Sequence, residues 1–288
     1  MINSFRRQAA LRERAVLLGP GVIFAGLLLI LPLGIVTVST FLTPSLFGGA
    51  QTPFTLQSVS RLIEPLYRDV IFTTLWLAGL ATLIALILGY PAAYAITRLP
   101  RRWRNFAIIA VVLPFWTNFL IRTYAWIVLL NNQGLVNKVL SSIGLTDTPI
   151  TLMNNKPAIV LGLVYAYLPL MILPLYAAIE RIDHELIEAA TNLGATGPTR
   201  FRTVVLPLTV HGVITGCLFV FIPSLGNFII PELLGGGKTA TLGTMVRDQF
   251  LKSRDWPFGS ALSLLILVFV AVIIVTQTRI SRRFGTRS

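Results

Sequence analysis

The sequence predicts an all-α polytopic membrane protein with six transmembrane helices and one helix–turn–helix on the cytoplasmic side. Two observations lead to this fold class. Of the 288 residues, 55% are hydrophobic and 12% are charged, against roughly a quarter charged in soluble globular domains. The apolar residues also gather into six stretches near the length of about 20 residues that a helix needs to cross the hydrocarbon layer. A soluble enzyme and a disordered chain are therefore excluded.

The six apolar stretches are too long and too continuous for the alternating strands of a β-barrel, and an open sheet cannot span lipid. The first stretch follows a basic start, but its apolar run exceeds the roughly 7–15 residues of a signal-peptide core, so we expect a retained anchor. The predicted spans are Ala15–Thr40, Val70–Ile96, Phe106–Leu130, Ala158–Leu175, Leu208–Ile230 and Phe258–Gln277.

The basic residues predict how the spans are oriented. The formal net charge is +13. If the N-terminus is cytoplasmic, the inner segments hold fifteen basic residues and the outer loops hold eight, as expected from the basic character of cytoplasmic loops. We therefore expect both termini on the cytoplasmic side of the membrane. Residues 1–14 then form a basic cytoplasmic segment and residues 15–288 a single transmembrane domain. Anionic membrane lipid attracts such charges, and no nucleic-acid partner is expected.

Residues able to carry out chemistry are sparse within the spans. No carboxylate lies in the middle of a predicted span, although proton-driven carriers usually need one as a relay. His184 and His211 show no metal-ligand spacing, and the single cysteine, Cys217, permits no internal disulfide. We expect no catalytic residue, no metal and no cofactor on this chain. A stand-alone secondary carrier or channel remains an alternative, whereas a membrane-embedded enzyme would need a constellation that the spans lack.

The loop before the fifth span carries strong helical signals. Apolar residues recur at the spacing of one helix face, at Ile179, Ile182, Leu186, Ala190 and Leu193. Gly194 can end this helix with a positive φ, and Pro198 suits the first turn of a second short helix over residues 198–205. We expect Pro207 to break that helix before the fifth span. The result is a helix–turn–helix joined to a transmembrane helix.

The residue order in this loop resembles the EAA loop of ABC importer permeases. Glu188-Ala189-Ala190 is followed after three residues by Gly194. Nine residues separate Gly194 from Val204, and one more residue precedes Leu206-Pro207. The family usually has Ile at the position of Val204, which is a mild departure. The remaining spacing matches the family pattern, so the resemblance covers the whole loop.

The resemblance implies that the loop docks into a groove of a separate ATPase subunit. Small Ala189 and Ala190 would allow close approach, Gly194 would permit the sharp turn, and Glu188 would supply a charge. The implied ATPase-coupling residues are Glu188, Ala189, Ala190, Gly194, Leu206 and Pro207. The complete machine would include a second related permease, an ATPase homodimer that holds ATP and Mg, and an extracytoplasmic solute-binding protein. ATP hydrolysis would then reside in the partner subunits.

Further segments resemble the first membrane subunit of spermidine/putrescine importers, and they are spread from about Leu18 to the last span. They include Leu88-Gly89-Tyr90-Pro91-Ala92-Ala93-Tyr94, Leu113-Pro114-Phe115-Trp116-Thr117-Asn118 and Arg254-Asp255-Trp256-Pro257-Phe258-Gly259. This resemblance implies polyamine transport. The same branch of the family includes importers of opines, γ-aminobutyrate and other small solutes, which leaves another small solute as the alternative.

A polyamine is a flexible polycation, and its ammonium groups suit aromatic faces and carboxylates. Three aromatic residues lie within spans near Pro114 and Pro169, where helices bend, and one acid directly follows the fifth span. The candidate substrate-path residues are therefore Trp116, Tyr165, Tyr167 and Glu232.

Overall fold

The computed structural model describes the backbone of residues 2–45 and 47–285, with the side chains of residues 19–21, 24–45, 47–183 and 185–279. Within this part the chain is mostly helical. The helices are α1 (Ile2–Thr40), α2 (Gln57–Arg61), α3 (Pro65–Arg98), α4 (Arg101–Trp116), α5 (Phe119–Leu130), α6 (Leu135–Ser142), α7 (Lys156–Glu180), α8 (His184–Asn192), α9 (Gly197–Arg200), α10 (Leu206–Gly226), α11 (Ile229–Gly235), α12 (Leu242–Leu251) and α13 (Trp256–Gly285). A π-helical turn, Phe201–Val205, joins α9 to α10, and strands β1 (Leu42–Pro44) and β2 (Ala50–Phe54) pair antiparallel.

Among the described residues, five helical segments are long and apolar enough to cross a membrane. They are Gly19–Thr40, Pro65–Arg98, Lys156–Glu180, Gly197–Gly226 and Trp256–Arg279. A sixth crossing requires two segments together, Arg101–Trp116 and Phe119–Ser142, which are bent by 90° relative to each other. The all-α class and the six crossings are thus confirmed when the bent pair counts as one crossing.

The prediction of a continuous third span, Phe106–Leu130, is wrong in detail because the helix breaks after Trp116. Thr117 has an extended backbone, and its N–H and hydroxyl both donate to the carbonyl oxygen of Pro114. Asn118 then caps α5, its side-chain oxygen accepting from the N–H of Leu120 at 2.8 Å. Both helix ends are therefore satisfied by local hydrogen bonds, which stabilises the break.

The chain divides into two compact units. The first comprises Met1–Glu64 and Asp248–Leu265. In it, the Arg61 guanidinium forms a 2.7 Å ion pair with Asp255 and lies 3.9 Å from the ring centroid of Phe258. Asp255 also accepts from the N–H of Phe258 and so caps the start of α13. The short hairpin and α2 were not predicted, because each is too short to show a periodic pattern.

The second unit comprises Pro65–Arg247 and Ile266–Ser288, and α3, α7 and α10 form its core. Small residues allow these three helices to approach closely. A Cβ added at Gly216 of α10 would lie 2.8 Å from the Met171 sulfur of α7, and a Cβ at Gly89 of α3 would lie equally close to the Met171 side chain. Gly212 and Gly216 have the small-xxx-small spacing that brings membrane helices together.

Candidate functional site: the coupling segment and the candidate path

The loop of residues 179–207, here called the coupling segment, begins with a capped helix. Helix α7 ends at Glu180, and the Asp183 side chain accepts from the N–H of Glu185 at 3.0 Å to start α8. The prediction of one apolar helix face from Ile179 to Leu193 is therefore wrong at its start. Ile179 belongs to the end of α7, and a short non-helical segment separates it from α8. Asp is a strong N-cap residue, and this local hydrogen bond accounts for the break.

Helix α8 ends as the sequence predicts, at a glycine in the left-handed region. Gly194 has φ +81°. Its N–H donates to the carbonyl of Thr191 at 2.9 Å, and the N–H of Ala195 donates to that of Ala190 at 3.0 Å. These two bonds form the Schellman arrangement, which satisfies carbonyls that the helix end would otherwise leave free. Since an added Cβ at Gly194 would meet no atom within 4 Å, the backbone angle alone favours glycine here.

The second arm of the coupling segment runs without interruption into the fifth crossing. Helix α9 passes through the π-helical turn into α10, and Pro207 lies in the first turn of α10. The prediction that Pro207 breaks the helix is wrong. Within an α-helix its ring would clash with the carbonyl four residues earlier, but the wider turn just before it, where the N–H of Leu206 donates to Phe201, changes that carbonyl's position.

Side-chain contacts join the two arms and fasten them to the helix bundle. Arg200 of α9 donates to the Thr191 hydroxyl of α8 at 2.9 Å. The Phe201 ring packs edge-on against Tyr90 of α3, with 5.5 Å between ring centroids. The Tyr90 hydroxyl lies 2.8 Å from that of Thr209 in α10. The coupling segment is therefore in contact with α3, which is in turn hydrogen-bonded to α10.

The face of the coupling segment that points away from the helix bundle is exposed and therefore accessible to a partner. Glu188 and Ala189 are exposed, whereas Ala190 is half-buried. Leu193, at the end of α8, is 88% exposed, and Leu186 is also exposed. An exposed leucine beside an exposed carboxylate and a small side chain is a surface that another protein can cover.

An ion pair that the sequence does not predict anchors the start of the coupling segment to α4. Arg104 of α4 contacts Glu180, the last residue of α7, at 2.8 Å, and it also donates to the carbonyl of Thr97 at 3.1 Å. No local pattern predicts a pair of residues that lie 76 positions apart. By contrast, the Gly212 and Gly216 spacing is legible in the sequence and could have predicted the close contact of α10 with α7.

Two of the candidate path residues lie on α7 and contact neighbouring elements. The Tyr165 ring packs edge-on against Trp126 of α5, with 5.3 Å between centroids. The Tyr167 hydroxyl accepts from the Asn227 side-chain amide at 2.8 Å, and the Asn227 oxygen accepts from the N–H of Ile230. Asn227 therefore provides hydrogen bonds where the helix is interrupted between α10 and α11. The predicted span Leu208–Ile230 accordingly ends earlier, at Gly226.

The other two candidates differ in their surroundings. Trp116, the last residue of α4, is 79% exposed at the break before α5. Glu232 of α11 forms a 3.1 Å ion pair with Arg247 of α12, and the Arg247 guanidinium lies 5.8 Å from the Phe228 ring centroid. The carboxylate predicted as a cation contact is thus paired with an arginine of this same chain.

Comparison with known proteins identifies the family of the chain. The sequence profile of the family described as "Binding-protein-dependent transport system inner membrane component" matches residues 85–286. The spermidine/putrescine transport system permease protein PotB of Haemophilus influenzae is 41% identical over 263 residues, which cover 91% of this chain and 92% of that protein. PotB of Escherichia coli K12 is 40% identical over 256 residues, which cover 89% and 93% of the two chains.

Solved structures share the fold. A chain of the bacterial alginate ABC transporter, crystallised in complex with alginate pentasaccharide-bound periplasmic protein, superposes with a TM-score of 0.78. The two chains are 20% identical, and the match covers 98% of this chain and 97% of that one. The chain described here belongs to the family of binding-protein-dependent transport system inner membrane components, as a multi-pass permease subunit of an ABC importer.

Proposed function

We propose that this chain forms half of the translocation path of an ATP-driven importer for polyamines such as spermidine and putrescine. The observation that carries the proposal is the identity of about 40% with two PotB permeases, spread over about nine-tenths of both chains. These matches extend over nearly the whole chain, whereas the alginate transporter chain, at 20% identity, supports only the fold.

The proposed machine contains a second related permease, an ATPase homodimer and an extracytoplasmic solute-binding protein, all embedded in or docked on the inner membrane and its lipid. ATP and Mg are held by the ATPase subunits, and this chain carries no cofactor. Both termini and the coupling segment face the cytoplasm. The exposed leucines of α8 and the exposed Glu188 support docking at this segment, since they form an accessible surface on a rigid, hydrogen-bonded turn.

In this proposal the ATPase moves the coupling segment, and the movement opens and closes the path. Glu188, Ala189 and Ala190 contact the ATPase, Gly194 sets the direction of the second arm, and Leu206 with Pro207 begins the helix that carries the motion into the membrane. The contacts of Phe201 and Thr209 with Tyr90 support this role, because they connect the segment to two spanning helices. Such a rigid-body switch changes access without chemistry on the solute.

In the path itself, Trp116, Tyr165, Tyr167 and Glu232 are proposed to contact the cation. A cation over an aromatic face contributes about 0.5–2 kcal/mol, and the exposed Trp116 ring is accessible to such contact. We expect Trp116→Ala to raise the KM for spermidine uptake. Trp103→Ala is the matched control, because Trp103 is another exposed tryptophan on the same helix, near its opposite end. Equal uptake by both variants would contradict the assignment of Trp116.

The function is tested by ATPase stimulation in the complete complex reconstituted in vesicles. The solute-binding protein is supplied with spermidine, putrescine, an opine or γ-aminobutyrate in turn, for the natural chain and for Gly194→Val. We expect stimulation by the polyamines alone, and its loss in Gly194→Val. Stimulation by another solute would contradict the polyamine assignment and leave the importer intact. Solute movement by this chain without any ATPase would contradict the coupling role.

A further inference from the structure

A cavity of about 200 Å³ lies within the second unit, where α3 and α7 end and α4 begins. Residues of the coupling segment form part of its wall. Its charged lining comprises three arginines, Arg98, Arg104 and Arg200, and one carboxylate, Glu180. Three cations face one anion, so the cavity has an excess of positive charge. Its volume is several times the roughly 30 Å³ that a water molecule occupies in the liquid.

Hydrogen bonds within the described chain leave part of the donor capacity of these arginines available. Arg98 donates to the Tyr94 hydroxyl at 2.5 Å, and Arg200 donates to Thr191 at 2.9 Å. Arg104 donates to Glu180 and to the carbonyl of Thr97, while its buried Nε has no hydrogen-bond partner among the described residues. A guanidinium has more N–H groups than these bonds use, and an unpaired buried donor is costly.

We propose that this arginine cavity binds a phosphate-bearing anion. The planar fork of arginine matches the geometry of phosphate oxygens and binds them with charge-assisted hydrogen bonds. Such an anion would neutralise the excess positive charge that Glu180 leaves uncompensated. It would also link the end of α3 to the coupling segment, because Arg98 belongs to the first and Arg200 to the second.

The position of the cavity relative to the membrane favours a lipid headgroup as the source of the phosphate. Helix α3 has 34 residues and is therefore about 51 Å long, whereas the hydrocarbon core is about 30 Å thick. With α3 centred on the bilayer, its last residue, Arg98, would lie about 10 Å beyond the hydrocarbon, at the aqueous edge of the headgroup layer. The long side chain of an arginine can reach lipid phosphates from there. Besides Tyr94 and Thr97, the uncharged wall of the cavity is aliphatic and suits the start of an acyl chain. This part is formed by Ile179, Ile182, Ile187 and Val205.

The test uses the full chain in detergent, purified with the subunits that accompany it, and measures binding by native mass spectrometry and thermal unfolding. The probes are phosphatidylglycerol, zwitterionic phosphatidylcholine and inorganic phosphate. We expect phosphatidylglycerol to bind and to raise the unfolding midpoint, and Arg98→Gln to weaken its binding about tenfold, the effect of one charge-assisted hydrogen bond. Arg200→Gln should weaken it similarly.

Arg101→Gln is the matched control, since it removes the same charge from the same end of the bundle but does not line the cavity. Binding of inorganic phosphate that depends on Arg98 would support the site and assign it to the free anion instead of the lipid. Equal losses in Arg98→Gln and Arg101→Gln, or no loss in either Arg98→Gln or Arg200→Gln, would overturn the proposal. Because binding is measured without solute transport, the outcome is independent of the polyamine assignment.

Discussion

Gly194 illustrates at the residue scale how one backbone angle constrains the coupling segment. Its φ of +81° costs an ordinary L-residue about 1–2 kcal/mol, and a β-branched residue is the least compatible. Asn tolerates this region better than other side chains. We expect Gly194→Asn to retain most of the solute-stimulated ATPase activity and Gly194→Val to lose it, as measured in the reconstituted complex. Equal activities would show that the turn geometry is unimportant for coupling.

Glu232 is the proposed cation contact, and it is also the ion-pair partner of Arg247. Both residues are partly buried, so removing one partner takes this compensating charge from the other and lowers the stability. We expect Glu232→Gln to slow spermidine uptake, Arg247→Gln to preserve it, and the exchange Glu232→Arg with Arg247→Glu to restore the unfolding midpoint without restoring uptake. If the exchanged pair transports normally, Glu232 acts through the ion pair and not on the cation.

At the scale of elements, the close contact of α7 with α10 depends on glycines of α10, which have no side chain to keep the two helices apart. A Cβ at Gly216 would approach the Met171 sulfur at 2.8 Å and its carbonyl oxygen at 3.2 Å. We expect Gly216→Ala to lower the unfolding midpoint of the purified chain, because the two helices must move apart. Gly79→Ala on α3 is the matched control, since an added Cβ there meets nothing within 4 Å and alanine favours the helix by about 1 kcal/mol. An equal decrease in both variants would contradict the packing argument.

At the scale of the whole molecule, the number of crossings determines which loops share a side of the membrane. Thr199 and Lys238 are both exposed and are separated by the single crossing of α10. The chain has one cysteine, so Cys217→Ala provides a background for Thr199→Cys and Lys238→Cys. We expect an impermeant maleimide to label Lys238→Cys in intact spheroplasts and Thr199→Cys only after permeabilisation. The reverse labelling would place the coupling segment outside.

The sequence by itself determined the membrane class, five of the crossings and the turn at Gly194. Each of these follows from composition or from interactions within a few residues, and such signals are legible without knowledge of the fold. The N-cap at Asp183 and the α-to-π transition before Pro207 are also local, but they compete with the apolar periodicity that suggested a longer first helix and a break at the proline.

The 90° bend in the third crossing lies at the local hydrogen bonds of Thr117 and Asn118. Only the tertiary structure decided the pairing of Glu232 with Arg247 and the contact of Arg104 with Glu180. The last of these joins residues 76 positions apart, and nothing in the local pattern of either helix indicates that their ends meet. The arginine cavity has the same origin. Its charged residues come from four separate helices, α3, α4, α7 and α9. The excess of positive charge therefore exists only because packing brings those helix ends together.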